Sequence, residues 1–237
     1  MRGFVLVNYG DKFLGHLKQC IKCIRHFSDY PITVYTNKKI DCDAEVVFYG
    51  EKNHHDKKYK GIGNCTELRT KLLIDSPYDE ACYIDADIYI IHRGFLQGFE
   101  ILESYPILMP QNPRWFVTNF EERGDSDIGA YVNKKDRKRL KKMPKYLTAW
   151  NGGVQFVKRG ERAKHFYRIL KELQQRGSGR NQTKMAIASW KTGIHPYVLP
   201  PNWCVCQEHV DIEIPLALHC GHGPVMKLWK DKYENNY

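Results

Sequence analysis

Long apolar runs are missing from this sequence. No run approaches the roughly 18 residues that a membrane-spanning helix requires. The stretch FVLVNYG near the N-terminus is short and turns polar early, which is not typical of a secretory signal. We therefore expect a cytoplasmic protein without a membrane span. The chain also has no internal repeat and, apart from one lysine-rich segment, no low-complexity tract.

A disulfide framework is missing as well. The eight cysteines are scattered, and several lie inside apolar segments rather than in loops. The Cys20-x-x-Cys23 pair falls within a helical pattern, and no second pair has the same spacing, which argues against zinc or redox chemistry at that pair. We expect these cysteines to be reduced, buried thiols of an intracellular protein.

Acidic residues are outnumbered, and the excess of positive charge is local. The net charge is +10, of which residues 134–145 (KKDRKRLKKMPK) supply +7. That segment is interpreted as a solvated surface or as a patch for an anionic acceptor, a membrane surface or a polynucleotide. Because the charge is confined to one segment, a nucleic-acid partner is not favoured.

The composition and length are those of one folded domain. The 237 residues are 42% hydrophobic and 27% charged, which is ordinary for a globular protein and argues against general disorder. A chain of this length is long enough to bury a substantial core and too short for more than two domains. We expect a single domain over residues 1–237.

Strand and helix patterns alternate in the first half of the chain. An apolar run at 3–7 predicts a buried strand, and apolar residues at helical spacing after Asp11, a predicted N-cap, indicate a helix. β-rich runs follow at 31–35 and 44–49. A polar loop at 54–63, a helix at 67–74 and a strand from residue 81 complete the first half. The alternation predicts an α/β fold with a mostly parallel central sheet flanked by helices.

The second half is less regular. We predict strands at 106–109 and 195–199, a turn and a strand over 150–157, helices at about 162–175 and 183–190, and an apolar run at 212–218 that ends at His219.

Two carboxylates interrupt an otherwise apolar run at residues 81–90 (ACYIDADIYI). Asp85 and Asp87 come at the end of the predicted strand, and ligands of open α/β sheets bind outside the carboxyl ends of strands. A buried charge is costly unless something compensates it, and two oxygen donors suit Mg²⁺ or Mn²⁺. The spacing also occurs in dehalogenase-type phosphatases, but there it ends the first strand, which makes that interpretation less favoured here.

The order of these features resembles the metal-dependent nucleotide-sugar glycosyltransferases of the GT-A fold, with their Asp-x-Asp motif. The resemblance is strongest to the family that includes glycogenin and the bacterial lipopolysaccharide galactosyltransferases. It implies a Rossmann-like GT-A domain with a nucleotide-binding half at about 1–110 and an acceptor-binding, metal-completing half at about 111–237.

The resemblance also implies roles for individual residues. Asp85, Asp87 and His219 would hold the metal, and Gln182 would face the reacting sugar, after Asn181 where the family has an aspartate. Lys227, followed by Trp229, would reach the diphosphate. The remaining donor-binding residues implied are Val7, Asn8, Tyr9, Arg69, Lys71, Ala86, Asn151, Gly152, Gly153, His222 and Gly223. His222 is also an alternative metal ligand.

The implied reaction moves a sugar from a nucleotide sugar, a UDP-sugar being favoured, to a hydroxyl of a glycan, glycoprotein or glycolipid. It would require Mn²⁺ or Mg²⁺ and would retain the anomeric configuration. Inversion would need a base, for which Asp125, Asp127 and Asp211 are the candidates. A metal-dependent nucleotidyltransferase, a nucleic-acid-binding protein and an inactive sugar-binding module stay open as alternatives.

Overall fold

The computed structural model describes residues 1–49, 62–116, 148–175, 181–221 and 223–237. Within these ranges the side chains of 62–67, 113–116, 148–149 and 182–183 are not described. The basic segment 134–145, most of the predicted loop at 54–63, Asp125, Asp127 and His222 therefore lie outside the described residues.

The strands form one large sheet and one small one. In chain order they are β1 (Arg2–Asn8), β2 (Ile32–Thr36), β3 (Glu45–Phe48), β4 (Glu80–Asp85), β5 (Ile88–Ile90), β6 (Ile107–Phe116), β7 (Thr148–Trp150), β8 (Val154–Lys158), β9 (Tyr197–Leu199) and β10 (Ala217–His219). The large sheet has eight strands in the order β3-β2-β1-β4-β8-β6-β7, with β9 also paired to β6. The small sheet consists of β5 and β10.

The large sheet is parallel on one side and mixed on the other. Strands β1 to β4 pair in parallel through β3-β2, β2-β1 and β1-β4, and β9 pairs in parallel with β6. Strand β8 runs antiparallel to both β4 and β6, and β6 runs antiparallel to β7. Over the described residues four of the seven pairings are thus parallel, and the prediction of a mostly parallel sheet is confirmed in that sense.

Six helices flank the sheet in the described part of the chain. They are α1 (Leu14–Phe27), α2 (Ile62–Ile74), α3 (Gly98–Ile101), α4 (Glu161–Gln175), α5 (Asn181–Thr192) and α6 (Gly223–Lys232). Short 3₁₀ turns occur at Arg93–Gln97, Pro201–Trp203, Gln207–His209 and Glu234–Asn236. Among the described helices, none is long and apolar enough to cross a bilayer.

Helix α1 does not begin as predicted. Phe13 occupies the N-cap position, and no side chain caps the helix. The carboxylate of Asp11 instead forms an ion pair with Lys38, at 3.0 Å. The prediction of Asp11 as N-cap is wrong, because its side chain is held by a residue that follows the next strand.

The core lies on both faces of the sheet because residues of a buried strand alternate in direction. Phe4 and Leu6 of β1 belong to a cluster that includes α1 and α6, whereas Val5 and Val7 belong to a cluster that includes α2 and α4. The helices before β2 and before β4 therefore cover opposite faces.

Candidate metal centre

Asp85 and Asp87 lie where the parallel strands end. Asp85 is the last residue of β4, and Asp87 lies in the short turn between β4 and β5. Asp85 is in register with Val7 of β1, and its backbone N–H donates to the carbonyl of Gly153, at 2.8 Å. The first carboxylate is thus positioned by three segments that meet at this edge of the sheet.

His219 reaches the same place through the small sheet. Strand β10 pairs antiparallel with β5, which sets His219 opposite Ile88, and the N–H of Cys220 donates to the carbonyl of Asp87, at 2.8 Å. The Nε2 atom of His219 lies 3.5 Å from Oδ1 of Asp87. The pairing of two three-residue strands therefore joins the histidine to the aspartate turn.

One ligand atom from each of Asp85, Asp87 and His219 lies within 4.8 Å of the other two. Two carboxylate oxygens and one imidazole nitrogen are donors that suit Mg²⁺ or Mn²⁺, ions that keep some of their waters. The three sequence-predicted metal ligands are thus brought together.

His219 and Asp87 alter each other's protonation. Burial by itself lowers the pKa of His219, but its hydrogen bonds to Asp87 and Cys206 outweigh burial and raise that pKa above its usual range. Burial by itself raises the pKa of Asp87, and the hydrogen bond and charge of His219 hold that pKa below its usual range. Both effects favour an imidazolium–carboxylate pair in the metal-free protein.

Asp85 is held by two side chains on one face of β4. The hydroxyl of Tyr83 and Nη1 of Arg69, the latter at 3.3 Å, both donate to Oδ1 of Asp85. The same Nη1 donates to the carbonyl of Gly152, at 3.0 Å, and the guanidinium lies over the Tyr83 ring. Arg69 is therefore a buried cation that fixes Oδ1 of Asp85.

The Asn-Gly-Gly turn packs directly against Asp85. Asn151 follows β7, and its Oδ1 accepts a hydrogen bond from the N–H of Gly153, at 2.9 Å. A Cβ at Gly153 would lie 2.7 Å from Ile88 Cδ1 and 3.0 Å from Asp85 Oδ2. Glycine at position 153 is therefore favoured by close packing against these side chains, whereas the donor-binding role implied for Gly153 stays a prediction.

Two features of the site were missed at the sequence level. A Cβ at Gly221 would overlap Oδ2 of Asp87, so the glycine leaves the space that this carboxylate occupies. The thiols of Cys204 and Cys206 lie beside His219, with a ligand atom of each within 4.8 Å of a ring nitrogen. The glycines in HCGHG and the Cys-x-Cys spacing in WCVCQ are the signals that could have indicated them.

The predicted nucleotide-binding residues lie along the adjoining edge. Val7 and Asn8 end β1 and are buried, and Ala86 is buried in the aspartate turn. The hydroxyl of Tyr9 donates to the carbonyl of Tyr49. The ammonium group of Lys71 lies over the Tyr49 ring and donates to the Tyr49 hydroxyl, at 3.4 Å.

The remaining predicted residues of the second half lie on two helices. Gln182 is the second residue of α5, and its side chain is among those not described. Gly223 begins α6, and Lys227 is exposed on that helix. Trp229 is buried and contacts Tyr89, so its ring belongs to the core.

No protein-family model matches this chain, and no curated protein matches it. The interpretation of the site therefore depends on the geometry and chemistry of its own residues.

Proposed function

We propose that this chain is a metal-dependent glycosyltransferase with a single GT-A domain. The observation that carries the proposal is the convergence of Asp85, Asp87 and His219 at the carboxyl edge of a parallel sheet. The donor would be a nucleoside-diphosphate sugar, preferably a UDP-sugar, and the acceptor a hydroxyl of a glycan, glycoprotein or glycolipid.

The sheet topology supports a nucleotide at this edge. Strand β1 lies between β2 and β4, and the helices that precede these two neighbours cover opposite faces of the sheet. A crevice opens at such a switch point in the strand order, and ligands of α/β proteins bind there. Val7 and Asp85 lie side by side across this point. The proposed nucleotide position is therefore next to the proposed metal ligands.

The donor set fits Mn²⁺ or Mg²⁺, which Asp85, Asp87 and His219 would hold. When bound, the ion would stabilise the negative charge of the departing diphosphate. Two basic side chains of the protein would act together with the bound ion. Arg69 orients Asp85, and Lys227, which is exposed on α6, would bind the diphosphate directly.

An orphaned amide supports a ligand near the Asn-Gly-Gly turn. The buried Nδ2 of Asn181 has no hydrogen-bond partner among the residues that the structure describes. A Cβ at Gly152 would lie 3.7 Å from that nitrogen. Since buried donors are seldom left unpaired, a sugar hydroxyl at this position would satisfy it. Gln182, the next residue of α5, is proposed to face the same sugar.

The transfer is proposed to retain configuration. The acceptor oxygen bonds to the anomeric carbon from the side on which the diphosphate departs, and the acceptor proton leaves with the diphosphate. Positioning and electrostatic stabilisation would supply most of the rate enhancement.

The seven cysteines whose side chains are described are all thiols, which supports activity in the reducing cytoplasm.

The proposal is tested by the release of nucleoside diphosphate from a panel of UDP-, GDP- and dTDP-sugars, with Mn²⁺ or with EDTA. Wild type is compared with Asp85→Asn, Asp87→Asn and the control Asp43→Asn, which removes an exposed carboxylate paired with Arg25. We expect metal-dependent release from one donor, lost in the first two variants and kept in the control. Release of nucleoside diphosphate that survives in EDTA would overturn the proposal. So would a chain that releases no nucleoside diphosphate and instead forms pyrophosphate from a nucleoside triphosphate.

A further inference from the structure

A Cys-x-Cys segment runs beside the strand that carries His219. Val205 forms a parallel bridge with Leu218, and the N–H of His219 donates to the carbonyl of Val205, at 2.9 Å. Residues two apart in extended backbone point to the same side. Cys204 and Cys206 therefore both face away from Val205, on the side where Cys206 lies next to His219.

The two sulfurs and a ring nitrogen of His219 all lie within 4.8 Å of one another. Sγ of Cys206 lies 3.8 Å from Nδ1 of His219, and both cysteines are buried. Nδ2 of Asn151 donates to each sulfur, at 3.3 Å, while its Oδ1 is held by the N–H of Gly153. The neighbouring Cys206 and burial raise the pKa of the Cys204 thiol, so the two amide contacts would stabilise thiolates only when a metal is bound.

We propose that Cys204, Cys206 and His219 form a second metal site, for Zn²⁺, whose occupancy excludes the hard ion from Asp85, Asp87 and His219. Two thiolates and one imidazole are soft and borderline ligands that favour Zn²⁺ over Mg²⁺ or Mn²⁺. Three protein ligands leave the fourth tetrahedral position to water. Each thiol that becomes a ligand releases its proton to solvent.

The exclusion follows from the two nitrogens of one ring. Nδ1 of His219 faces Cys206, and Nε2 faces Asp87. A neutral imidazole has one nitrogen that accepts and one that carries hydrogen. With Zn²⁺ on Nδ1, Nε2 carries the hydrogen, donates to Asp87 and is closed to a second ion. This part of the inference rests on the proposed function, whereas the thiol site itself does not.

The thiol site is tested with Co²⁺ and Zn²⁺ on the metal-stripped 237-residue chain, without any nucleotide sugar. Thiolate ligands give Co²⁺ an intense charge-transfer absorption that oxygen and nitrogen ligands do not. We expect this band in wild type, in Asp85→Asn and in the control Cys23→Ser, where Gln19 faces the substituted side chain. In Cys204→Ser and Cys206→Ser, each of which keeps one thiolate, the band should fall to about half or less, and Zn²⁺ affinity should fall on the order of tenfold or more. The site is refuted by a wild type without the band, or by both serine variants retaining its full intensity.

The exclusion is tested by electron paramagnetic resonance of bound Mn²⁺. Wild type loaded with Mn²⁺ should release it at a lower Zn²⁺ concentration than Cys204→Ser or Cys206→Ser loaded with Mn²⁺ to the same extent, and circular dichroism checks that both variants fold. Release at the same Zn²⁺ concentration in these variants would mean that Zn²⁺ competes at the carboxylates, and the exclusion would be wrong. If wild type never binds Mn²⁺ but shows the cobalt band, the proposed function and the exclusion fail while the thiol site stands.

Discussion

At the scale of single residues, the centre depends on small side chains as much as on charged ones. Asp85 and Asp87 are each packed against a glycine, Gly153 for the first and Gly221 for the second. The glycines matter here because of the space they leave, since neither has a positive φ. Carboxylate orientation is therefore sensitive to substitutions that introduce no charge.

Gly221→Ala should weaken Mn²⁺ binding on the order of tenfold or more, because the new Cβ would displace Oδ2 of Asp87. Isothermal titration calorimetry with Mn²⁺ measures the effect. The matched control is Gly15→Ala, whose Cβ would meet no atom within 4 Å. Equal Mn²⁺ affinity in Gly221→Ala and wild type would show that this contact does not govern the site.

At the scale of secondary-structure elements, two helices hold the site from opposite faces of the sheet. On one face, Arg69 of α2 joins β4 to the turn before β8 through Asp85 and the carbonyl of Gly152. On the other, α1 buries Cys20 and Cys23, and Nδ1 of its His16 lies 2.6 Å from the hydroxyl of Tyr89 in β5. The contribution of α2 can be measured from unfolding free energy, and the packing of α1 from the reactivity of a buried thiol.

Arg69→Met should lower the free energy of unfolding by about 3 kcal/mol, because it leaves the partly buried carboxylate of Asp85 without its cation. Urea denaturation followed by circular dichroism measures this loss. Arg159→Met, at an ion pair that is largely exposed, should cost about 1 kcal/mol or less. If the two substitutions lower the free energy of unfolding equally, the ion pair of Arg69 with Asp85 does not stabilise the carboxyl edge of the sheet.

The thiol of Cys23 should react slowly while α1 is docked. Burial raises its pKa to about 12, above the ordinary thiol value of 9.0. The protonated form therefore persists, and the alkylation rate should keep rising with pH above 9.0 instead of levelling there. Mass spectrometry after iodoacetamide treatment compares this rate with that of the partly exposed Cys42 and with urea-unfolded chain. Equal native rates for Cys23 and Cys42 would contradict the packing of α1.

At the scale of the whole molecule, the C-terminal segment completes the core beneath the metal centre. Trp229 of α6 is buried, and the centroid of its ring lies 4.8 Å from the centroid of the Tyr89 ring in β5. Tyr237 packs on Trp229 and also on His26 of α1. Because β5 pairs with the strand that carries His219, core packing and ligand position are connected.

Trp229→Ala should therefore cost about 3–5 kcal/mol of unfolding free energy and also weaken Mn²⁺ binding. Urea denaturation and calorimetry with Mn²⁺ are the two measurements. The control Tyr105→Ala removes an exposed ring that lies against Tyr197, and it should change both quantities little. If Trp229→Ala is destabilised but binds Mn²⁺ as tightly as wild type, the packing of Trp229 does not influence the position of the metal ligands.

The sequence by itself determined the parts that are local. Periodicity of two or of 3.6 residues located the strands around β1 and β4 and the helices α1, α2, α4 and α5, because burial of one face repeats within each segment. The position of Asp85 at a strand end and the turn at Asn151 followed from the same patterns. Their roles in a sugar transfer stay predictions.

The tertiary structure alone decided what depends on distant pairing. It set His219 beside Asp87, Arg69 on Asp85, and Cys204 and Cys206 behind the histidine. It also paired Asp11 with Lys38, so that Asp11 does not cap helix α1 as predicted. A local pattern records which face of a segment is buried, but not the partner that covers it. These contacts form only when strands far apart in the chain pair, and so the metal centre is a property of the fold.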